Sequence, residues 1–260
     1  EPNSPAALAN IPRGATILAV DGVSIDVATQ AGIDVLNAGL FPDSVGVTRS
    51  ITLQDNATSA ARTVQLTSAN VTSTPVPEVR SGVISGVNFG YLLFNDHIAT
   101  AEKPLVDAIA QLKAASVTEL VLDLRYNGGG YIYIASQLGY MLGTPNVGGQ
   151  VFGKFRYNDK RVADNNEAGF PFLGNASISG ADGLPVNFNG AALPQLGLSR
   201  VYVITTGDTC SASEAIMNAL RPFVSIVQIG GTTCGKPYGF TDKDNCAVSY
   251  FPIEFEGVNS

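Results

Sequence analysis

Two hydrophobic rhythms divide this chain, with a proline-bearing stretch, Thr72-Ser73-Thr74-Pro75-Val76-Pro77, between them. Beyond that stretch, Leu105, Ile109 and Leu112 recur at helical spacing and predict an amphipathic helix over 103–115. Residues 119–124 are mostly apolar, the mark of a buried central strand, and 131–142 again reads as helix. A strand over 201–205, a helix opening after residue 211 and a strand over 224–229 continue the alternation, which implies an α/β domain. Short strands near 82–87 and 90–94 precede it. Before the linker the order differs. Ser4 and Pro5 form a helix start, 17–22 reads as a strand ending in an Asp21-Gly22 turn, and 27–40 as a helix. Strands over 50–53 and 62–67 follow, separated by a polar turn. The expected organisation is therefore a small α+β domain over 1–75 and a larger α/β domain over 76–260.

Within the larger domain, 143–198 is long and rich in Gly and Asn, with Phe152, Phe155, Tyr157, Phe170 and Phe172. Such a stretch is either a lid or binding arm, or a surface excursion that packs its own aromatics.

Composition narrows the functions. The 260 residues are 45% hydrophobic and 14% charged, enough for one large core or two smaller ones. A formal charge of -7 excludes a nucleic-acid partner, whose phosphates require clustered Lys and Arg. No apolar run reaches the roughly 18 residues that span a bilayer. The opening Glu1-Pro2-Asn3-Ser4 is not that of a signal peptide, so an exported protein would have lost its address segment. A single histidine and three cysteines offer no close-spaced ligand pair, and neither a metal nor another cofactor is expected. Cys234 and Cys246 flank a predicted hairpin over 238–244. They are candidates for a disulfide that would tie down the neighbouring loop and imply an oxidising compartment, with free thiols as the alternative.

The chemistry lies in Thr209-Cys210-Ser211-Ala212-Ser213-Glu214 and Thr233-Cys234-Gly235-Lys236. The first closes a strand and opens a helix, presenting Ser211 at a helix N-terminus; the second places a lysine just after the next strand. Serine needs a base to become a nucleophile, and a lysine kept neutral by burial can be that base.

These blocks resemble those of the C-terminal-processing, or tail-specific, serine peptidases, whose motif runs Ser/Thr-Ala-Ser-Ala-Ser-Glu and then Gly-Lys. Leu122-Asp123-Leu124-Arg125-Tyr126-Asn127-Gly128-Gly129-Gly130 is similar to that family's third block. The resemblance implies Ser211 as nucleophile, Lys236 as base, and an oxyanion held by the amides of Gly129 and Ala212. It also implies a crotonase-like catalytic layer, a polypeptide substrate, and an extracytoplasmic, periplasmic or cell-envelope location. The small domain resembles the family's PDZ domain in its Ser-Pro-Ala-Ala and Leu-Ala-Val-Asp-Gly segments. It is short at its N-terminus and has Ala15 where the family has Asp, so it is either trimmed or defective in its peptide groove.

Two accessory residues have competing readings. Glu214 reaches the Lys236 ammonium, or, the preferred reading, is an acidic residue favoured by the helix dipole. Asn127 braces the glycine turn or merely forms it. Arg125 and Asp123 pair structurally, and His97 is a satisfied structural residue rather than a triad base. Gly230-Gly231-Thr232-Thr233-Cys234-Gly235-Lys236 mimics a phosphate-binding loop, but Pro237 stands where a magnesium-binding hydroxyl belongs. The sequence therefore predicts a serine endopeptidase with a Ser-Lys dyad, whose PDZ-like unit selects substrate C-termini. The other reading is a non-catalytic peptide-binding scaffold whose dyad is unassembled. Oligomeric state is left open.

Overall fold

A computed structural model describes residues 1–165, 169–177 and 190–258. The chain divides into two compact units, Glu1–Ser73 and Thr74–Ser260.

In the first unit Ser4 caps α1 (Pro5–Leu8), its hydroxyl accepting from the Ala7 amide at 3.1 Å, with Pro5 at the first helical position. β1 (Thr16–Val20) turns into β2 (Val23–Ser24) through Asp21 and Gly22, both at positive φ, the geometry of a tight hairpin turn. The helix expected over 27–40 begins later, as α2 (Gln30–Leu40), because extended Thr29 caps it and its hydroxyl takes the Gly32 amide. β3 (Thr48–Gln54) and β4 (Arg62–Thr67) complete an antiparallel sheet of order β2-β1-β3-β4. Its small core is Val20, Ile51 and Leu53, backed by Ile17, Leu36 and Leu66. Beside this core a cavity of about 470 Å³ is lined by Ile11, Ile17, Leu40, Ile51, Leu53 and Leu66, among others.

The second unit is organised on a five-stranded sheet. β5 (Glu78–Ile84) and β6 (Val87–Leu93) form an antiparallel hairpin, so the strand expected over 82–87 is in fact interrupted. Ser85 and Gly86 at positive φ make a two-residue turn inside that window. α3 (Glu102–Ala114), β7 (Glu119–Asp123) and α4 (Ile132–Leu142) follow. β8 (Val151–Tyr157) and β9 (Phe170–Pro171) come next, then β10 (Arg200–Thr205), α5 (Ala212–Leu220) and β11 (Ser225–Gly230). The sheet order is β11-β10-β7-β6-β5, with β6, β7, β10 and β11 parallel. Apolar residues bury this sheet as a parallel sheet requires: Leu92, Leu120, Leu122 and Val201 are fully buried, with Leu105, Ile109 and Leu138 from α3 and α4.

A second sheet, β12-β15-β8-β9, joins β12 (Tyr238–Phe240) and β15 (Ile253–Val258) to the strands of the long Gly- and Asn-rich stretch. Residues 166–168 and 178–189 of that stretch lie outside the described residues. Its described parts enter the core: Phe152 and Phe172 are buried edge-to-face at 5.3 Å, and Phe155 packs 5.0 Å from Phe255. Between β12 and β15, β13 (Lys243–Asn245) and β14 (Val248–Tyr250) form a separate hairpin with Cys246 and Ala247 at its tip. Among the described residues, no helix is long and apolar enough to cross a membrane.

Leu122 lies on the central strand with no exposed surface. Leu122→Ala should destabilise the second unit by about 2–5 kcal/mol, read from its urea unfolding midpoint. A loss below about 1 kcal/mol would mean that the site collapses around the missing atoms or is less tightly packed than described.

Candidate active site

Three neighbouring parallel strands, β7, β10 and β11, end at the same edge of the sheet, and each ends in one of the three sequence blocks. Ligand crevices in open α/β sheets form at this carboxyl edge. β7 runs into the Leu124–Gly130 turn, β10 into Thr206–Ser211 and α5, and β11 into the loop that carries Lys236.

The turns are fastened to one another through buried polar groups. Thr209 donates its hydroxyl to the Leu124 carbonyl at 2.8 Å. The Asn127 carbonyl accepts the Cys210 amide at 3.1 Å and the Ser213 hydroxyl at 3.0 Å. Thr206 donates its hydroxyl to the Arg125 carbonyl. Thr209 and Ser213 are fully buried, and sequence reasoning had given neither a role. Their small hydroxyls at a strand-to-helix turn were the available signal.

Ser211 sits at φ 56°, ψ −115°, a conformation that side-chain-bearing residues rarely adopt and that costs on the order of 1–3 kcal/mol. The sharp strand-to-helix turn is the kind of backbone on which nucleophile elbows are built, and here Ser211 and Glu214 also form the capping box of α5. Glu214 holds the conformation from one turn into α5: its Oε2 accepts the Ser211 amide at 2.8 Å. The same carboxylate accepts the amides of Gly235 at 2.8 Å and Lys236 at 3.0 Å. Burial alone would raise the Glu214 pKa. Hydrogen bonds from the Thr233 hydroxyl and from these amides outweigh it and hold the group below its ordinary range. Glu214 thus meets the backbone of the lysine loop, and among the described residues it makes no hydrogen bond to the ammonium.

Lys236 departs from expectation. It is exposed, not buried, and its Nζ lies 5.5 Å from the centre of the Phe240 ring, a cation–π contact. Among the described residues no hydrogen bond joins it to Ser211. Pro237 and the exposed loop ahead of β12 leave its stem in solvent, an environment that apolar periodicity does not report.

Gly129 also departs. Its amide donates to Asn127 Oδ1 at 3.0 Å and so is already committed. Its service here is close approach: at φ 99° a Cβ would stand 2.8 Å from both the Cys210 carbonyl oxygen and Ser211 Cβ. Ala212 is fully buried, and as the first helical residue its amide has no intrahelical acceptor.

Asn127 is the brace of the glycine turn. Its Nδ2 donates to the Phe94 carbonyl at 3.1 Å, which leaves Oδ1 to accept from Gly129 and, at 2.8 Å, from His97 Nδ1. His97 therefore carries its proton on Nδ1. Nε2 is buried and has no hydrogen-bond partner among the described residues, so His97 is only half satisfied. Burial lowers its pKa from 6.5 to about 4, despite opposing bonds to Asn127 and Gly129. Deeper still, Asp123 is fully buried; burial raises its pKa, but the Arg125 fork and the Tyr91 hydroxyl, 2.7 Å away, bring it below the ordinary value. Tyr91 is in turn pushed up to about 12 by burial and by that carboxylate.

The disulfide joins Cys210 to Cys234, not Cys234 to Cys246. β12 pairs with β15, and Cys246 is carried away to the exposed tip of the β13–β14 hairpin. Cys234 instead returns to the β10–α5 turn, its amide donating to the Thr209 carbonyl at 3.1 Å, with Cα atoms 5.2 Å apart across the bond. Cys210, Glu214 and Cys234 form the one cluster of metal-ligand type among the described residues, and both its sulfurs are consumed by the disulfide.

Against known proteins, the family model of peptidase family S41 matches residues 88–241, more than half of the chain; the chain belongs to this family. The carboxyl-terminal-processing protease of Picosynechococcus sp. (strain ATCC 27264 / PCC 7002 / PR-6) is 31% identical over 137 residues, which are 50% of this chain and 30% of that protein. A crystal structure of an S41 protease from Bacteroides fragilis NCTC 9343 aligns at 27% identity with a TM-score of 0.69, covering 99% of this chain and 64% of the other. The photosystem II D1 C-terminal processing protease shares the fold, with a TM-score of 0.57 at 21% identity, over 99% of this chain and 61% of its own. The chain thus spans less than a third of that curated relative and under two thirds of either structure.

Because the folded pKa of His97 lies below its unfolded value, the unfolded state binds more protons between pH 6.5 and about 4. The stability tied to neutral His97 is complete above about pH 6.5 and declines as pH falls toward 4. Urea unfolding at pH 7.5 and 4.5 should lose on the order of 3 kcal/mol more in the wild type than in His97→Gln. Equal losses in the two proteins would show that His97 titrates normally.

Proposed function

We propose that this chain is the core of a serine endopeptidase that cleaves polypeptides through a Ser211-Lys236 dyad and an acyl-enzyme. The observation that carries the reading is Glu214, one carboxylate that binds the backbone of the serine turn and that of the lysine loop. Two segments from different strands are thereby set to a common origin, as a dyad requires.

In the reaction Lys236 leaves the face of Phe240 and, once bound substrate has taken it out of solvent, takes the proton from Ser211 Oγ as that oxygen attacks the scissile carbonyl. Apo sites often hold such pairs apart until substrate excludes water. The developing oxyanion is received by the Ala212 amide at the start of α5, where the helix dipole also favours negative charge. Gly129 adds its amide when the oxyanion displaces Asn127 Oδ1. The lysine then returns its proton to the leaving amine, and water resolves the acyl-enzyme with the lysine again as base.

The catalytic layer is read as crotonase-like and the unit Glu1–Ser73 as PDZ-like; a four-stranded antiparallel sheet beside an apolar cavity suits a unit that engages peptide C-termini. An extracytoplasmic location agrees with the Cys210–Cys234 disulfide, a bond that persists in oxidising compartments. Membership of a peptidase family favours catalysis over the non-catalytic scaffold.

Cleavage of an unfolded protein substrate should be abolished by Ser211→Ala and by Lys236→Ala while thermal unfolding stays unchanged. Gly129→Ala, which drives a Cβ into the serine turn, should cost about 10²-fold or more in kcat. A wild-type protein that is folded but inert would favour the scaffold; full activity in Lys236→Ala would remove the dyad.

A further inference from the structure

The residues on either side of the proposed dyad are covalently joined. Cys210 immediately precedes Ser211, Cys234 lies two positions before Lys236, and the disulfide closes the two segments into one ring. We propose that this bond is a reduction site for a dithiol, such as a protein of the thioredoxin chemical class, and that reducing it lowers turnover by releasing the lysine loop from the serine turn. The inference rests on the Ser211-Lys236 reading.

Hydrogen bonds rather than packing hold the rest of the loop, with Gly231 tied to Thr205 at its start and the Pro237 carbonyl accepting from Gly257 at its end. Gly231, Thr232 and Cys234 through Tyr238 are exposed, and only Thr233 is half-buried, so no apolar burial fixes the segment. Without the disulfide its remaining anchors to the serine turn are hydrogen bonds, from the Cys234 amide to the Thr209 carbonyl and from the Thr233 hydroxyl and the Gly235 and Lys236 amides to Glu214. The Gly235 and Lys236 bonds to Glu214 are exposed, where water competes for the same groups, while the Thr209 carbonyl is on a buried residue.

The two sulfurs are not equivalent. Cys234 is exposed and Cys210 is partly buried, so an incoming thiolate reaches Cys234 Sγ. As the new S–S bond forms, the Cys210–Cys234 bond breaks and its electron pair leaves on Cys210 Sγ. That thiolate lies next to the N-terminus of α5, where the helix dipole stabilises it and makes it a good leaving group. It then takes up a proton. The second thiolate of the reductant attacks its own sulfur in the mixed disulfide and releases Cys234, which is also protonated. Two electrons and two protons pass from the dithiol, which becomes a disulfide, and the chain gains two thiols. Glu214 Oε2, 3.5 Å from Cys234 Sγ, disfavours a lasting thiolate at that position.

The test uses the full chain carrying Cys246→Ser, which removes the exposed third thiol and prevents exchange with it. Cleavage of a cysteine-free unfolded polypeptide is followed during titration with dithiothreitol, and then with a thioredoxin-type dithiol. Thiols at 210 and 234 are counted by alkylation and mass spectrometry, and fluorophosphonate labelling of Ser211 is measured in parallel. The expected result is a fall of about tenfold to a hundredfold in kcat, with KM changed much less, in step with the appearance of two thiols and reversed on reoxidation. Cys210→Ala/Cys234→Ala should show the reduced level of activity and ignore the dithiol. An oxidised protein that is active, and equally active with both thiols free, overturns the proposal and leaves the dyad standing. Loss of activity only together with cooperative unfolding of the catalytic unit also overturns it, since the bond would then be a general staple. An oxidised protein that neither cleaves nor labels removes the dyad reading, and this proposal with it.

Discussion

The carboxylate of Glu214 is the interaction on which the rest of the site depends. Ser211 occupies a backbone conformation that costs on the order of 1–3 kcal/mol, and such strain persists only when its surroundings over-determine it. A hydrogen bond to a charged acceptor is worth about 1.5–3 kcal/mol, so the single bond from the Ser211 amide is of the right size to offset the strain. Glu214 is placed for this by helix geometry, because a residue one turn into α5 can reach back to the residue before the helix. It stays ionised because the donors around it outweigh the penalty of burial. An anion in that position also suits the positive end of the helix dipole.

The same carboxylate, together with the Cys210–Cys234 disulfide, joins the lysine loop to the serine turn, and the parallel sheet brings the two close enough for this. In a parallel arrangement all carboxyl ends meet at one edge, so blocks distant in sequence are delivered to neighbouring positions. The third block closes from the other side. His97, Asn127 and Gly129 form a buried hydrogen-bonded chain, and the missing Cβ of Gly129 lets that turn pack directly against Cys210, Ser211 and Ala212. In the resting arrangement Lys236 faces Phe240 and the Gly129 amide faces Asn127. In the proposed reaction the Lys236 side chain must leave Phe240 and the Gly129 amide must exchange its hydrogen-bond partner.

Elements whose burial leaves a run or a regular period of apolar residues were legible in the sequence. The strand around Leu122, the helix bearing Leu105, Ile109 and Leu112, and the three motif blocks could be read because apolar burial and turn chemistry leave periodic or local marks. The Ser85-Gly86 turn was missed although Ser-Gly is a turn signal, because the residues around it are apolar enough to read as continuous strand. The sequence offers Cys246 only as a candidate partner for Cys234, and the structure pairs Cys234 with Cys210 instead, because cysteine spacing does not reveal which strands pair and here β12 pairs with β15 across the intervening hairpin. The exposure of Lys236 and the inward turn of the Gly129 amide depend on backbone direction at single residues, which no pattern of residue types encodes. Glu214 stands in the first turn of α5, as the helix-dipole reading expects, but its hydrogen bonds from the amides of Ser211, Gly235 and Lys236 depend on backbone placement that residue type does not encode.

The most direct measurement is mass-spectrometric mapping of a fluorophosphonate adduct on the folded wild-type chain and on Lys236→Ala. An activated nucleophile predicts a single adduct, on Ser211, in the wild type and its loss in the variant. An adduct on another residue, or equal labelling of Ser211 without the lysine, would contradict the account.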